Sequence, residues 1–429
     1  MNVLFVYSNI NGFHYDNYHF GLASLVSVTR KEKHNVKVVI ISERSEYNHL
    51  LDEVKSFKPE VIGFSSVSSQ FNYVKEIASL IKELLPSVII VCGGVHPTIH
   101  TNALLETEKI NGFFVGESEL SFIEFLNKIE KGESFKEIDN FAYVQNGVVV
   151  RNKLKALIEN LDLLPHPDKE VYPYKKTVAD LGYAPFFFAR GCPFMCTYCS
   201  NHALAELYER KRNYPRFRSP ETCIQEIEEV VEEYSKRINF IWILDDIFGL
   251  NNQWREEFCE KYKKRIKKKF MVQVRVEMAN DHLFSLLKDA GCFRVLFGVE
   301  SGNEKVRNEI MRRKMSNENI INAFDLCHKH GLETLALNII GVPGESEEMI
   351  LDTLNLNRRL SPTISAVNIF YPYRGTVLGD KCFKEGLVDE ERFLEFSNER
   401  RETILKYPEE HRKMLSHYYN NWAILMDPN

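Results

Sequence analysis

No run of apolar residues in this chain approaches the ~20 that a membrane-spanning helix needs. The opening residues, MNVLFVYSNINGF, show no basic stretch ahead of an apolar core and no small-residue cleavage site, so a cytoplasmic location is expected. Charge of one sign is scarce too. The 55 Lys and Arg against 60 Asp and Glu leave a net charge of -5, a field that gives no reason to expect nucleic acid as a partner. The basic run KYKKRIKKKF (Lys261 to Phe270) reads as the solvated face of a helix within that balance. Internal repeats and low-complexity segments are absent. Nine cysteines in 429 residues argue against a disulfide framework and direct attention to any place where thiols gather. Cys92, Cys223, Cys259, Cys292, Cys327 and Cys382 are scattered through periodic segments and read as small buried hydrophobes.

What is present is an alternation of short apolar runs and helical patterns. Asn2 to Ser8, Val36 to Ser42, Val61 to Val67, Ser87 to Gly94 and Gly112 to Ser118 read as strands ending in small residues. Asn72 to Pro86 is a clear helical pattern between two of them. This order predicts an α/β fold with a doubly wound parallel sheet, whose ligands bind beyond the strand carboxyl ends. Phe141 to Asn152 reads as a hairpin turning at Asn146-Gly147, and the three prolines of Leu161 to Tyr174 read as a linker. A second series begins at FFFAR (Phe186 to Arg190). It continues through Ile238 to Asp246, Met271 to Met278, Cys292 to Ser301, Thr334 to Pro343 and Ile364 to Tyr373, with the clearest helix at Pro220 to Tyr234. About six such units are short of the eight that close a barrel, so a partial (β/α)6 barrel is expected. The expected division is 1–152, a linker 153–185, the barrel 186–375 and a helical C-terminal extension 376–429.

Cys192, Cys196 and Cys199 stand in one loop, FFFARGCPFMCTYCSN, after the first barrel strand. Thiolates suit iron–sulfur clusters, and three of them leave a fourth iron open; a zinc site completed by a remote His or Cys is the alternative. Asp245 and Asp246 end the second barrel strand and could instead cap the helix that follows. Arg275, Glu300 and Ser301 stand at later strand ends, where an ordinary surface role is equally open.

The motifs RGCPFMCTYCSN, RFRSPETCIQEIEEVVEEY, FIWILDDIFGLNNQW, AGCFRVLFGVESGN and NIIGVPGESEEMILDTL occur here in order. Together they resemble the radical S-adenosylmethionine (SAM) superfamily over about Phe186 to Arg374. The resemblance implies a 4Fe–4S cluster on Cys192, Cys196 and Cys199, and SAM chelated to the open iron. It implies further SAM contacts at Tyr198, Asp245, Asp246, Arg275, Glu300, Ser301, Arg313, Gly341 and Val342. Arg312 and Lys314 leave the Arg313 assignment open by one position. An external electron donor, such as a flavodoxin or ferredoxin, is implied as a partner.

In the first part of the chain, FGLASL, VIGFSSVSSQF, CGGVHPT and FVGESELSFIEFL resemble the cobalamin-binding domain fused ahead of many radical SAM enzymes. The implied contacts are Leu22, Ser65, Ser66, Val67, Gln70, Gly93, Gly94, His96, Pro97, Thr98, Gly116 and Glu117, with a side chain at Gly94 expected to fill corrin space. The Asp-x-His-x-x-Gly motif of some cobalamin proteins is absent, and His14, His19, His96 and His100 lack its spacing. Histidine-off cobalamin is therefore expected, with Gln70 or a neighbour near the lower face and His96 shaping its loop.

The whole pattern implies a cobalamin-dependent radical SAM methyltransferase acting on an unactivated carbon or phosphorus centre of a small-molecule or biosynthetic-intermediate substrate. A cobalamin-dependent cyclase or rearrangement enzyme is the rival, and a cobalamin-binding regulator with a structural cluster is the reading from another class. Arg374 departs from the proline that many relatives carry before Gly-Thr. Anaerobically reconstituted protein is expected to hold about four iron per chain, and changing Cys192, Cys196 and Cys199 to alanine to abolish them. Iron analysis checks this; stoichiometric zinc without iron in anaerobically purified protein would overturn it.

Overall fold

The computed structural model describes residues 1–10, 18–208, 214–249, 251–395 and 399–427. The chain divides into two compact units, Met1–Glu159 with Leu163–Thr177 and Glu206–Lys211, and the remainder.

The first unit is built on seven strands: β1 (Asn2–Ser8), β2 (Asn35–Ile41), β3 (Val61–Ser65), β4 (Ile89–Gly93), β5 (Gly112–Phe114), β6 (Phe141–Gln145) and β7 (Val148–Arg151). Their spatial order is β2-β1-β3-β4-β5-β6-β7, the first five parallel and the last two antiparallel additions. β1 reads as an unbroken apolar run because helices cover both faces of the sheet. The helix Phe71–Leu84 buries Phe71, Val74, Ile77, Ala78 and Ile81, the 3.6-residue stripe visible in the sequence. Asn146 (φ 52°) and Gly147 (φ 76°) make the hairpin turn in the left-handed conformation that this turn demands. Strand order reverses between β1 and β3, and that switch point is where ligands of such sheets bind.

The stretch expected to be a linker is not one throughout. Tyr172 and Tyr174 are fully buried, and Tyr18 rests edge-on against both. Asp168 Oδ1 accepts the N–H groups of Glu170, Val171 and Tyr172, while Tyr18 donates to its carbonyl. Prolines marked irregular backbone, but the two aromatic side chains carry enough apolar area to bind that backbone down.

The second unit carries six parallel strands: β8 (Tyr183–Phe186), β11 (Phe240–Ile243), β12 (Phe270–Gln273), β13 (Cys292–Glu300), β14 (Glu333–Ile340) and β15 (Ile364–Ile369), in the order β15-β14-β13-β12-β11-β8. A separate ribbon pairs β9 (Ala189–Arg190) with β10 (Arg216–Phe217) antiparallel. The first barrel strand therefore precedes the expected FFFAR, sharing only Phe186 with it. Pro185 hid the strand, and it is tolerated because β8 is an edge strand bonded only to β11.

The helix Pro220–Tyr234 starts on Ser219, whose side chain accepts from Thr222 N, and buries Cys223, Ile224, Ile227 and Val230. Lys261 and Arg265 of the basic run pair with Glu221. Lys263 pairs with Asp289 and Lys264 with Glu260, so this part of the run is a solvated ion-pair face. The tail forms helices Val377–Lys384, Glu390–Glu395 and Glu409–Met426. The last buries Leu415, Tyr418 and Trp422 against Ile340, Ile350, Leu354, Val367 and Ile369. Among the described residues no helix is long and apolar enough to cross a membrane.

Candidate cofactor sites

The three-cysteine loop of the second unit has little regular structure of its own and is fixed by its neighbours. Thr197 donates its hydroxyl to Ile310 O (2.6 Å) and its N–H to Met311 O (3.1 Å), and its carbonyl accepts Leu378 N (2.9 Å). All three thiols are free; Cys196 is buried, Cys192 and Cys199 half-buried. Burial pushes the Cys192 thiol up to about 11 and the Cys199 thiol up to about 12, so each needs a strong cation to ionise it.

Two arginines converge on Cys196. Arg275 Nη1 lies 3.6 Å from its Sγ and Arg313 Nη1 3.9 Å. Arg275 is held by Glu277 through Nε (3.1 Å) and Nη2 (2.5 Å), and its guanidinium carbon lies 3.6 Å from the Phe194 ring centre. Arg313 donates to Gly298 O (2.7 Å) and Tyr198 Oη (3.2 Å) and pairs with Glu300 (3.2 Å). Arg313 is buried whereas Arg312 and Lys314 are exposed, which singles out Arg313 among the three. Glu300 has φ 67° where the β13–β14 register slips, and this kink brings it to Arg313. A Cβ on Gly298 would lie 2.4 Å from Glu300 Oε1, so a side chain there would push the Glu300 carboxylate from its place beside Arg313.

Other expectations shift. Neither Asp245 nor Asp246 caps the next helix; Asn251 does, accepting Trp254 N at 2.7 Å. Asp245 Oδ1 accepts Phe188 N (2.6 Å) and Ala189 N (2.9 Å), while its buried Oδ2 has no partner. Burial pushes this carboxyl up to about 7. Burial also raises Asp246, against the hydrogen bond from Asn201. Ser301 is turned into the protein: its hydroxyl lies 3.3 Å from Thr353 Oγ1 and accepts Asn303 N, so its bonds there are internal ones.

At the end of β14, Gly341 N (2.5 Å) and Val342 N (3.3 Å) donate to Glu345 Oε2, and Tyr407 Oη donates to Val342 O (2.8 Å). A side chain on Gly341 would press on Leu415, 3.1 Å away, so the tail helix occupies that side of the turn. Glu345 is buried with Oε1 unpartnered, and burial pushes its carboxyl up to about 7.

In the first unit, backbone bonds join the loops beyond β3 and β4, and side chains tie in the loop beyond β5. Ser66 N donates to Gly93 O (2.9 Å) and His96 N to Ser66 O (3.1 Å). Thr98 Oγ1 donates to Gly94 O (2.7 Å) and accepts Gly116 N (3.0 Å), and Tyr208 Oη accepts Glu117 N (2.8 Å). Gln70 accepts from Ser8 Oγ (3.4 Å), and Leu22 is buried in the helix Phe20–Lys31. Val67 is half-buried beside Ser68, and Pro97 is buried in the short helix Val95–Ile99. His96 Nδ1 lies 3.0 Å from Ser68 Oγ with its ring against Phe71, as a loop-shaping histidine would. His19 Nδ1 accepts Leu22 N (3.1 Å) and caps the helix Phe20–Lys31, while its Nε2 lies 3.5 Å from Ser65 Oγ. His14 lies outside the described residues. Gly94 departs from expectation. At φ 101°, a Cβ there would meet Ser66 O at 2.8 Å and Ser66 N at 2.9 Å, so the glycine permits the loops to cross and does not itself border open space.

Residues 186–356 match the radical SAM superfamily, and residues 9–126 match the B12-binding domain. The chain is a radical SAM enzyme with a B12-binding domain. An uncharacterized methyltransferase of Pyrococcus horikoshii is 29% identical over 373 residues, 86% of this chain and 79% of its own. An anaerobic magnesium-protoporphyrin IX monomethyl ester cyclase of Rubrivivax gelatinosus is 25% identical over 337 residues, 75% of this chain and 58% of its own. The radical S-adenosylmethionine methyltransferase TsrM from Kitasatospora setae, solved with cobalamin and a 4Fe–4S cluster, shares the fold. Its TM-score is 0.75 at 16% identity, over 89% of this chain and 78% of that one.

The cofactors of this radical SAM enzyme are a 4Fe–4S cluster, SAM and cobalamin, and the residues present fit all three. Among the described residues no three His, Cys, Asp or Glu side chains gather to hold a single metal ion, whereas a cubane asks for one thiolate on each of three irons. Asp245 Oδ2, Arg313 Nε and Glu345 Oε1 are buried polar atoms left over in the second unit, and SAM brings an ammonium, a carboxylate and an adenine. Ser69 Oγ is buried and unpartnered in the loop after β3, a hydroxyl left for a polar ligand such as cobalamin.

Two predictions follow from these contacts. Gly93→Ala meets only ordinary contact with Phe114 and is expected to leave the fold intact; Gly94→Ala is expected to lower the thermal midpoint and weaken cobalamin at least tenfold. Cobalamin absorbance retained through gel filtration, with circular dichroism, separates the two. Glu345 gives the protein a pH dependence. Between the ordinary glutamate value of 4.5 and about 7, the folded chain keeps a proton the unfolded chain has released, so stability falls as pH rises across that window. Glu345→Gln is expected to flatten this part of the profile and to be the more stable form at pH 8, by on the order of 3 kcal/mol. Melting curves from pH 5 to 8 check it.

Proposed function

We propose that the chain is a cobalamin-dependent methyltransferase that moves a methyl group from SAM to an unactivated carbon or phosphorus centre of a small-molecule substrate. The observation that carries the reading is the pairing, in one chain, of a B12-binding sheet with a three-cysteine barrel. The similarity to a relative named as a methyltransferase, over 86% of the chain, supports it. When bound, the cofactors supply a methyl carrier and, by one-electron cleavage of SAM, a 5′-deoxyadenosyl radical that takes hydrogen from substrate.

The protein's part is binding, orientation and exclusion of water. Cys192, Cys196 and Cys199 would hold the cluster, with a flavodoxin or ferredoxin as the electron source. Asp245 and Asp246 would hold the loop flanks, the first through Phe188 and Ala189 and the second through Asn201, and the free oxygen of Asp245 would receive the SAM ammonium. Arg313 would take the SAM carboxylate beside Glu300 and Tyr198, and the Gly341–Val342 turn would seat the adenine. The loops at Ser65, Ser66, Val67 and Gln70 would border the corrin. A second reading, cyclisation without methyl transfer, is favoured by the similarity to the Rubrivivax cyclase.

Product analysis decides between them. With reductant and the true substrate, methylation is expected to yield S-adenosylhomocysteine and 5′-deoxyadenosine in near-equal amounts. Omitting cobalamin is expected to stop the first while some of the second persists. Substrate turnover with deoxyadenosine and no homocysteine product would replace the methyltransferase with the cyclase reading.

A further inference from the structure

Arg275 is set up for something other than a SAM carboxylate. Glu277 already closes the Nε–Nη2 edge at 3.1 and 2.5 Å, and because Nη2 is shared with the other bidentate edge, both are compromised for a second carboxylate. One face is stacked on Phe194, which stands between Cys192 and Cys196. That leaves Nη1, aimed at Cys196 Sγ at 3.6 Å with the residue only 6% exposed. Arg313 reaches the same sulfur from its own strand end at 3.9 Å. Among the described residues no arginine donates to Cys192 or Cys199; the Arg275 charge also acts on Cys192 and that of Arg400 on Cys199, but direct N–H donation falls on Cys196.

We infer that Arg275, oriented by Glu277 and Phe194, is a positioning residue that sets the reduction potential of the cluster through Cys196. An N–H donor and a positive charge beside a cluster thiolate stabilise the form carrying the extra electron, and a dry setting strengthens the effect. The result is a cluster that a one-electron donor reduces more readily than the bare ligand set would allow. The inference rests on the cysteines holding the cluster, which iron content establishes separately. It does not depend on methyl transfer, because the potential is read without SAM or substrate.

The test is a redox titration of the full-length, anaerobically reconstituted protein with dithionite or titanium(III) citrate, followed by electron paramagnetic resonance. The key variant is Arg275→Met with Glu277→Gln, which puts a long apolar side chain in the guanidinium's place and leaves no orphaned carboxylate. At a fixed ambient potential its reduced-to-oxidised ratio is expected to fall about tenfold, equal to 59 mV for a one-electron couple. Arg275→Lys keeps the charge but cannot both satisfy Glu277 and reach the sulfur, and is expected to fall between. A four-iron double variant with the wild-type potential overturns the inference, and so does one whose only change is weaker SAM binding. If the double variant holds no cluster, Arg275→Lys decides, and a wild-type potential there overturns it equally.

Discussion

A loop without regular structure must hold three thiols in fixed relation, and in this protein that constraint falls on Thr197. It binds no cofactor in the proposed scheme, yet its hydroxyl, N–H and carbonyl are each tied to a different partner: Ile310, Met311 and Leu378. Two partners follow β13 and the third begins the tail, so the loop stays in place only while both segments are folded. Asp245 does the same for the approach to the loop, spending one oxygen on two backbone N–H groups. Thr197 and Asp245 are themselves buried, so losing one of these bonds would leave an unpaired polar group behind, a cost of ~1–3 kcal/mol apiece.

The first unit meets a similar demand differently. Its loops are short continuations of parallel strands, and they are held by backbone-to-backbone bonds among Ser66, Gly93 and His96. Small residues are needed there because the loops touch each other, most closely at Gly94. What they leave available lies in hydroxyls and backbone edges, chemistry suited to a large ligand held by many weak contacts.

Much of this was legible in the sequence. Parallel buried strands announce themselves as apolar runs, and β1 and the helix Pro220–Tyr234 fall where the apolar pattern put them. Cysteine spacing is local and survives any detail of packing. What stayed hidden depends on contacts between distant segments. Pro185 masked an edge strand, since edge position is a property of the finished sheet. Two buried tyrosines turned an apparent linker into ordered structure. Glu277 stands two residues beyond Arg275, a spacing that says nothing until the short turn Val276–Met278 brings them together. Ser301 looked available at a strand end, but Thr353, fifty-two positions away, had already engaged it. Glu345 closed a motif whose glycine drew the attention, while its carboxylate holds that turn's N–H groups.

The contacts of the tail with the turn after β14 bear on protein engineering. Leu415 fills the space beside Gly341, and Tyr407 bonds the carbonyl of Val342. A C-terminal segment grafted from another enzyme would arrive without those two side chains in register, and the turn after β14 would lose its backing. The tail is a buttress for that turn, and a chimera that respects it must carry Tyr407 and Leu415 across the splice.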